Sequence, residues 1–254
     1  MISDAVLRIE NLGHSYGKFK VIEDISLTIG KGEMSALIGP NGAGKTTFYN
    51  AISGKFPPTR GKVYLNNKDI TGLTSHRVVD QGMCRSFQIT NIFAELTVAE
   101  NVFSPLIIKQ KKHFKPYGNV YKDKHITEKT MSCLEQVGLA HRADQVVANL
   151  AYGDKRLVEM AIVLARDPSV VLLDEPTAGM NPEETENMIN LIKQLAKNSG
   201  TTFFITEHDM KVVFSLAEKI YVLHQGRLLA QGYPAEIRAN EQVQEAYLGR
   251  RVHA

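Results

Sequence analysis

Cysteine is scarce in this sequence, two residues among 254, and Cys84 and Cys133 stand too far apart for a C-x-x-C spacing. Neither a disulfide framework nor a zinc site is suggested, and a reducing, cytoplasmic compartment is expected. Long hydrophobic runs are also lacking. No stretch reaches the roughly 18 consecutive apolar residues that a bilayer-crossing helix needs, so any membrane role is expected to be peripheral. The start of the chain, Met1-Ile2-Ser3-Asp4, has no basic segment followed by an apolar one and does not read as a secretory signal. Charge of one sign is missing as well: the formal net charge is +3, far from the strongly basic balance with which proteins neutralise nucleic-acid phosphates. No nucleic-acid partner is expected. There is no internal repeat and no low-complexity tract.

What is present is a chain large enough, and at 43% hydrophobic residues apolar enough, to bury one full core. A single unit over 1–254 is expected. Val6 to Ile9, and Ile25, Leu27 and Ile29 in alternation with polar residues, predict short strands of a small antiparallel layer. Met34 to Ile38 reads as a strand, the glycine-rich stretch behind it as a loop, and Thr46 to Ser53 as a helix stopped by Gly54. Val63 and Leu65 suggest a second hairpin turning at Asn66-Asn67.

From about 97 to 166 the spacing becomes helical, with Leu134, Val137 and Leu139 in one segment and Leu157, Met160, Ala161 and Leu164 in another. This is read as a helical subdomain inserted between 1–96 and 167–254. Its lysines, Lys109, Lys111, Lys112, Lys115, Lys122 and Lys124, are read as a solvated loop. Two apolar strands follow, Val170 to Leu173 and Phe203 to Ile205, separated by a helix around Met188 to Leu195. Continuous apolar strands alternating with helices predict a parallel sheet covered on both faces, hence an α/β fold. A strand from Ile220, a turn at Gln225-Gly226 and a helix through Val243 to Leu248 close the chain.

Gly39-Pro40-Asn41-Gly42-Ala43-Gly44-Lys45-Thr46 fits G-x-x-x-x-G-K-S/T between a predicted strand and a predicted helix. Backbone N–H groups of such a loop wrap phosphates, the helix N-terminus adds its dipole, Lys45 reaches the terminal phosphates, and the Thr46 hydroxyl can ligate Mg²⁺. Thr47 continues the same turn. Asp174 and Glu175 end the strand from Val170, at the sheet edge where α/β folds gather ligands. Asp174 suits metal positioning through water, and Glu175 suits orienting or deprotonating an attacking water. His208 lies just beyond Phe203 to Ile205 and reaches the same edge.

These elements together with the remaining motifs resemble the nucleotide-binding domains of ATP-binding-cassette (ABC) transporters over nearly the whole chain. The resemblance implies a phosphate-loop NTPase (RecA-like) core with a mostly parallel sheet, an N-terminal antiparallel β subdomain and a helical subdomain, binding ATP with Mg²⁺. It further implies that Tyr16 stacks on adenine, that Gln88 in Arg85-Ser86-Phe87-Gln88 senses metal and permease, and that His208 is the switch histidine. The family signature, commonly Leu-Ser-Gly-Gly-Gln, reads here Leu150-Ala151-Tyr152-Gly153-Asp154, followed by a helix expected near Lys155. Ala151 lacks the serine hydroxyl, while the Gly153 N–H and the helix dipole remain. Asn181, in Ala178-Gly179-Met180-Asn181, stands where the family commonly has aspartate.

Leu-Ala-Tyr-Gly, Ala-Gly-Met-Asn-Pro, Glu207-His208-Asp209-Met210 and the closing Ala246-Tyr247-Leu248-Gly249 resemble one branch, the first of the paired ATPases in importers of branched-chain amino acids and their urea and amide relatives. Lipopolysaccharide-export ATPases share the Tyr-Leu-Gly ending, and soluble ABC ATPases of iron–sulfur cluster assembly share the motor. The resemblance implies composite sites, each closed by a second ATPase subunit, as a heterodimer or a homodimer. It also implies two permease chains, an external binding protein served indirectly, and a location on the inner face of the cell membrane.

Overall fold

A computed structural model describes residues 5–86, 92–109 and 123–248. Its first two strands, β1 (Ala5–Tyr16) and β2 (Phe19–Gly30), are each 12 residues long, far longer than the apolar alternation announces. β1 pairs antiparallel with β2 and with β4 (Arg60–Leu65), which turns into β5 (Lys68–Asp69). The order of this sheet is β2-β1-β4-β5. Local irregularities of register accompany left-handed backbone at Asn11 (φ 46°), and such bulges bend a strand without ending it. That bending is why the alternation is legible in pieces only.

The second sheet has the order β10-β9-β3-β8-β7-β6, with β3 (Met34–Ile38), β6 (Met83–Arg85), β7 (Val170–Asp174), β8 (Thr202–Thr206), β9 (Lys219–His224) and β10 (Arg227–Gly232). Every pairing is parallel except β9 with β10. All residues of β3, β7 and β8 are buried. The side chains of β7 and β8 divide between two cores: Val170, Leu172 and Phe204 join the core under the antiparallel sheet, whereas Val171, Leu173, Phe203 and Ile205 join the helical side. Burial on both faces removes the need for a polar alternate position, which explains the unbroken apolar runs.

Both predicted two-residue turns are formed. Asn66 and Asn67 (φ 49° and 62°) and Gln225 and Gly226 (φ 47° and 77°) are left-handed, the backbone that a tight hairpin requires at both central positions. Between the sheets runs α1 (Lys45–Ile52), followed by α2 (Ser75–Asp80). α3 (Val98–Lys109), α4 (Lys124–Gln136) and α5 (Tyr152–Leu164) pack against one another on the other side. The helix expected around Met188 to Leu195 is α6 (Pro182–Ser199), burying Met188, Ile192 and Leu195. α7 (Met210–Leu216), α8 (Pro234–Ala239) and α9 (Glu241–Leu248) complete the chain.

Three readings of the sequence need adjustment. α5 begins at Tyr152, not near Lys155, because Ala151 is already the extended cap residue (ψ 159°). Val137 and Leu139 fall past the end of α4, with Leu134 the last of that trio inside it. The short elements α2 and β6 have no counterpart in the pattern. Lys111, Lys112, Lys115 and Lys122 lie outside the described residues, as does Gln88.

Candidate nucleotide site

Register sets the site before any side chain does. Leu37 of β3 pairs with Thr206 of β8, and Thr206 pairs with Asp174 of β7. The three central strands therefore end in one row, and the residues that follow, Gly39, Glu175 and His208, leave the sheet at one edge. A cleft of about 300 Å³ opens there, lined by Val21, Asn41 to Thr47, Asp174, Glu175, Thr206 and His208. Of the residues the sequence assigns to this edge, Asn41, Gly42, Ala43, Gly44, Lys45, Thr46, Thr47, Asp174, Glu175 and His208 line one cleft; Gly39 and Pro40 enter as the carbonyls behind Lys45.

Gly44 is the cap of α1 in the left-handed region (φ 103°). A β-carbon there would stand 2.7 Å from Ile22 Cγ2, so the β1–β2 hairpin can lie against the loop only because this residue is glycine. Lys45 is 9% exposed and its ammonium donates to the carbonyls of Gly39 (2.5 Å) and Pro40 (3.2 Å). Burial holds its pKa below the ordinary lysine value, while the facing carboxylates of Glu175 and Asp174 oppose that shift. A cation held by two carbonyls at the cleft is well placed to exchange them for phosphate oxygens.

Asp174 is buried and fixed at both oxygens. Oδ1 accepts from the Thr206 hydroxyl at 2.6 Å, and Oδ2 pairs with the Arg85 guanidinium at 2.6 Å. Arg85 also donates to Asn50 Oδ1 (2.7 Å) and lies over the ring of Tyr49 (5.6 Å), whose hydroxyl donates to the Phe204 carbonyl at 2.8 Å and is pushed well above its ordinary pKa by burial. Arg85 as the partner of Asp174 is not legible in the sequence, where it is one more basic residue before Gln88.

Glu175 has left-handed backbone (φ 50°), strained for a residue with a β-carbon. Its N–H donates to the Thr206 carbonyl at 2.9 Å, and its Oε1 lies 2.7 Å from His208 Nε2. The residues after it form a tight turn, Ala178 N–H donating to the Glu175 carbonyl at 3.1 Å. Glu207, absent from the sequence-level candidates, is 4% exposed and accepts from Thr177 N–H (3.0 Å) and the Thr177 hydroxyl (2.6 Å).

Tyr16 ends β1 with its ring 54% exposed, edge-on to His14 at 4.8 Å and apart from the cleft lining. Ala151, Tyr152, Gly153 and Asp154 also stand apart from this cleft. Tyr152 donates its hydroxyl to the Ala178 carbonyl (3.2 Å) and receives Arg156 Nη2 (2.9 Å). Asp154 pairs with Arg142 at 2.7 Å. A β-carbon on Gly153 would meet Glu184 Oε1 at 2.9 Å, so the first turn of α5 abuts the start of α6. Asn181 caps α6: its side chain accepts from Glu184 N–H, and the Glu184 carboxylate accepts from Asn181 N–H, at 2.9 and 3.0 Å.

The sequence profile described as ABC transporter matches residues 22–178, and the one described as branched-chain amino acid ATP-binding cassette transporter matches residues 227–253. The high-affinity branched-chain amino acid transport ATP-binding protein LivG of Salmonella typhimurium is 37% identical, covering 98% of this chain and 99% of that protein. The crystal structure of the ADP conformation of an ATP-binding cassette of an ABC transporter superposes with a TM-score of 0.86 at 31% identity, covering 96% of this chain and 99% of the other. A dimeric post-hydrolysis cassette bound to ADP and Pi gives 0.75 at 26% identity, covering 90% and 98%. With a phosphate loop, an acidic strand end and a histidine strand end converging on one cleft, and with these likenesses along nearly its whole length, the chain belongs to the ABC transporter family as an ATP-binding, ATP-hydrolysing subunit.

Proposed function

We propose that this ATPase energises an importer, with branched-chain amino acids as the cargo, and that Glu175 and His208 act on the water and the terminal phosphate of ATP. The observation that carries the catalytic part is the 2.7 Å contact between Glu175 Oε1 and His208 Nε2 at the mouth of the Lys45 loop. Glu175 would accept a proton from, or orient, the attacking water. His208 would hold the carboxylate in position and donate toward the phosphate. Backbone N–H groups of Gly42 to Thr47 and the Lys45 ammonium would cradle the phosphates.

Mg²⁺, when bound, would neutralise charge developing on the phosphate oxygens. Thr46 and, through water, Asp174 would hold it, and so few protein donors suit a cation that keeps water and phosphate oxygens around it. Tyr16 would take the adenine ring, its exposed face being free to stack. Gln88 would report metal and permease.

The cargo and direction rest on the likeness to LivG and on the profile match of the C-terminal segment. Ala151, Tyr152, Gly153 and Asp154 stand outside this chain's own cleft, which supports their acting on the ATP of a second ATPase subunit. Two permease chains and, indirectly, an external binding protein complete the assembly. Among the described residues no helix is long and apolar enough to cross a membrane, which agrees with docking at the inner face of the cell membrane. The chain would work as one ABC unit, with 1–96 and 167–254 as core and β subdomain and about 97–166 as helical subdomain.

The test is purification of a tagged chain from membranes solubilised in mild detergent, with identification of what accompanies it. Two permease chains and a second ATPase are expected, and soluble partners alone would overturn the transport reading. In that complex Glu175→Gln should keep ATP binding while losing about 10²- to 10⁴-fold in turnover, the usual worth of a positioned base. Turnover like the unaltered protein would remove Glu175 from the reaction.

A further inference from the structure

The carboxylate of Glu207 is 4% exposed, and burying a charge is costly unless donors surround it. Among the described residues its hydrogen-bond donors come from the two segments that carry Glu175 and His208. Oε1 accepts from the amide (3.0 Å) and hydroxyl (2.6 Å) of Thr177, and Oε2 accepts from the amide of His208 (3.1 Å). Thr177 is two residues past Glu175, and His208 touches Glu175 at 2.7 Å. The four residues therefore close a ring: Glu175 leads along the chain to Thr177, Thr177 to Glu207, Glu207 to His208, and His208 back to Glu175.

We propose that Glu207 is a positioning residue for hydrolysis, clamping the turn that carries Glu175 to the strand end that carries His208. The inference rests on the reading of Glu175 and His208 given above. Its physical basis is strain. Glu175 has left-handed backbone at φ 50°, a conformation that persists only where its surroundings over-determine it. Thr206 holds the residue on one side through its carbonyl, 2.9 Å from the Glu175 amide. The other side is the turn 175–178, and Thr177 is where that turn meets Glu207. With the clamp in place the strained residue presents its carboxylate to His208. Without it the turn can relax, and the pair loses its distance while the phosphate loop, on β3 and α1, stays as it was.

Glutamate is needed for this in particular. An amide of the same shape still accepts from Thr177 through its oxygen but turns N–H groups toward the His208 amide, so two donors face each other. The Thr177 hydroxyl is the other separable link. Thr177→Val keeps the backbone bond and the volume but removes the hydroxyl, and Thr177→Ser restores it.

The experiment measures ATP turnover of the detergent-purified complex carrying Glu207→Gln, Thr177→Val, both together, or Thr177→Ser, with Glu175→Gln alongside. Glu207→Gln and Thr177→Val should each lower kcat about 10- to 10²-fold, the scale on which small misplacements of catalytic groups act. The KM for ATP should stay within about twofold, because the interactions lost serve the transition state and not ground-state binding. The double variant should be no slower than the slower single one, since groups acting as a unit are not additive, and Thr177→Ser should turn over like the unaltered protein.

Full kcat in both single variants would overturn the proposal. So would losses that multiply in the double variant, or a rise in KM in place of the fall in kcat. A loss in Thr177→Ser equal to that in Thr177→Val would also overturn it, by making the effect one of packing. Full turnover in Glu175→Gln would remove the underlying reading and this inference with it, whereas an inactive Glu175→Gln beside fully active Glu207→Gln and Thr177→Val would remove this inference alone.

Discussion

Ala151 is the residue at which this chain departs most from the usual signature, and its conformation gives the departure a measurable consequence. It sits at the cap of α5 with extended backbone (φ −62°, ψ 159°) and no side-chain hydrogen bond to the helix. That is the position where a serine hydroxyl accepts from a free N–H of the first turn. Ala151→Ser should therefore stabilise the isolated chain by about 0.5–2 kcal/mol, read as a rise in the urea midpoint at unchanged slope. No gain would mean that the serine hydroxyl turns away from the helix. On the proposed reading the same hydroxyl would face the ATP of the second ATPase subunit, so the native alanine would forgo that contact as well as the cap. Tyr152 supplies a different polar group in the next position, but its hydroxyl is engaged by the Ala178 carbonyl and by Arg156.

At the scale of elements, the packing of α5 against α6 explains two sequence features that are opaque on their own. Gly153 leaves room for Glu184, and Glu184 is occupied by the capping box with Asn181. Asn181, the other departure from the family pattern, is thus the cap of an 18-residue helix. Asn181→Ala should cost about 1 kcal/mol, whereas Asn181→Asp should cost little or stabilise, because both oxygens cap and the added negative charge faces the helix N-terminus. Chemical denaturation of the two variants measures this, and equal losses would assign the position to something other than capping.

Legibility in the sequence followed the same boundary between local and distant causes. The phosphate loop, the buried strands and both hairpin turns are written in consecutive residues, and they were readable. The three-residue β6 is too short to carry a period. The start of α5 depends on Ala151 adopting extended backbone, which an alanine does not announce as a capping residue would. Arg85 and Asp174 are 89 residues apart in the chain and Thr177 and Glu207 are 30 apart, so these pairs exist only once the parallel register of β6, β7 and β8 is known.

For the whole molecule, the arrangement of the cleft predicts how nucleotide and stability are linked. The loop and α1 follow β3 of the central sheet, and β7 and β8 end beside them, so a ligand bound there bridges segments far apart in the chain. A ligand that binds only the folded chain stabilises it by RT ln(1 + [L]/Kd), about 2.7 kcal/mol at a hundredfold excess over Kd. For a chain of this size about 1 kcal/mol moves the melting temperature by roughly 2–4 °C, so saturating ATP with Mg²⁺ should raise it by about 5–10 °C on those two scales. Lys45→Ala should abolish the rise, because the ammonium that the Gly39 and Pro40 carbonyls hold in the cleft is the group proposed to meet the phosphates. Glu175→Gln should keep it in full and make it last, since binding survives while turnover does not. A thermal shift retained in Lys45→Ala would place the nucleotide elsewhere, and one lost in Glu175→Gln would make Glu175 a binding group, not a hydrolytic one.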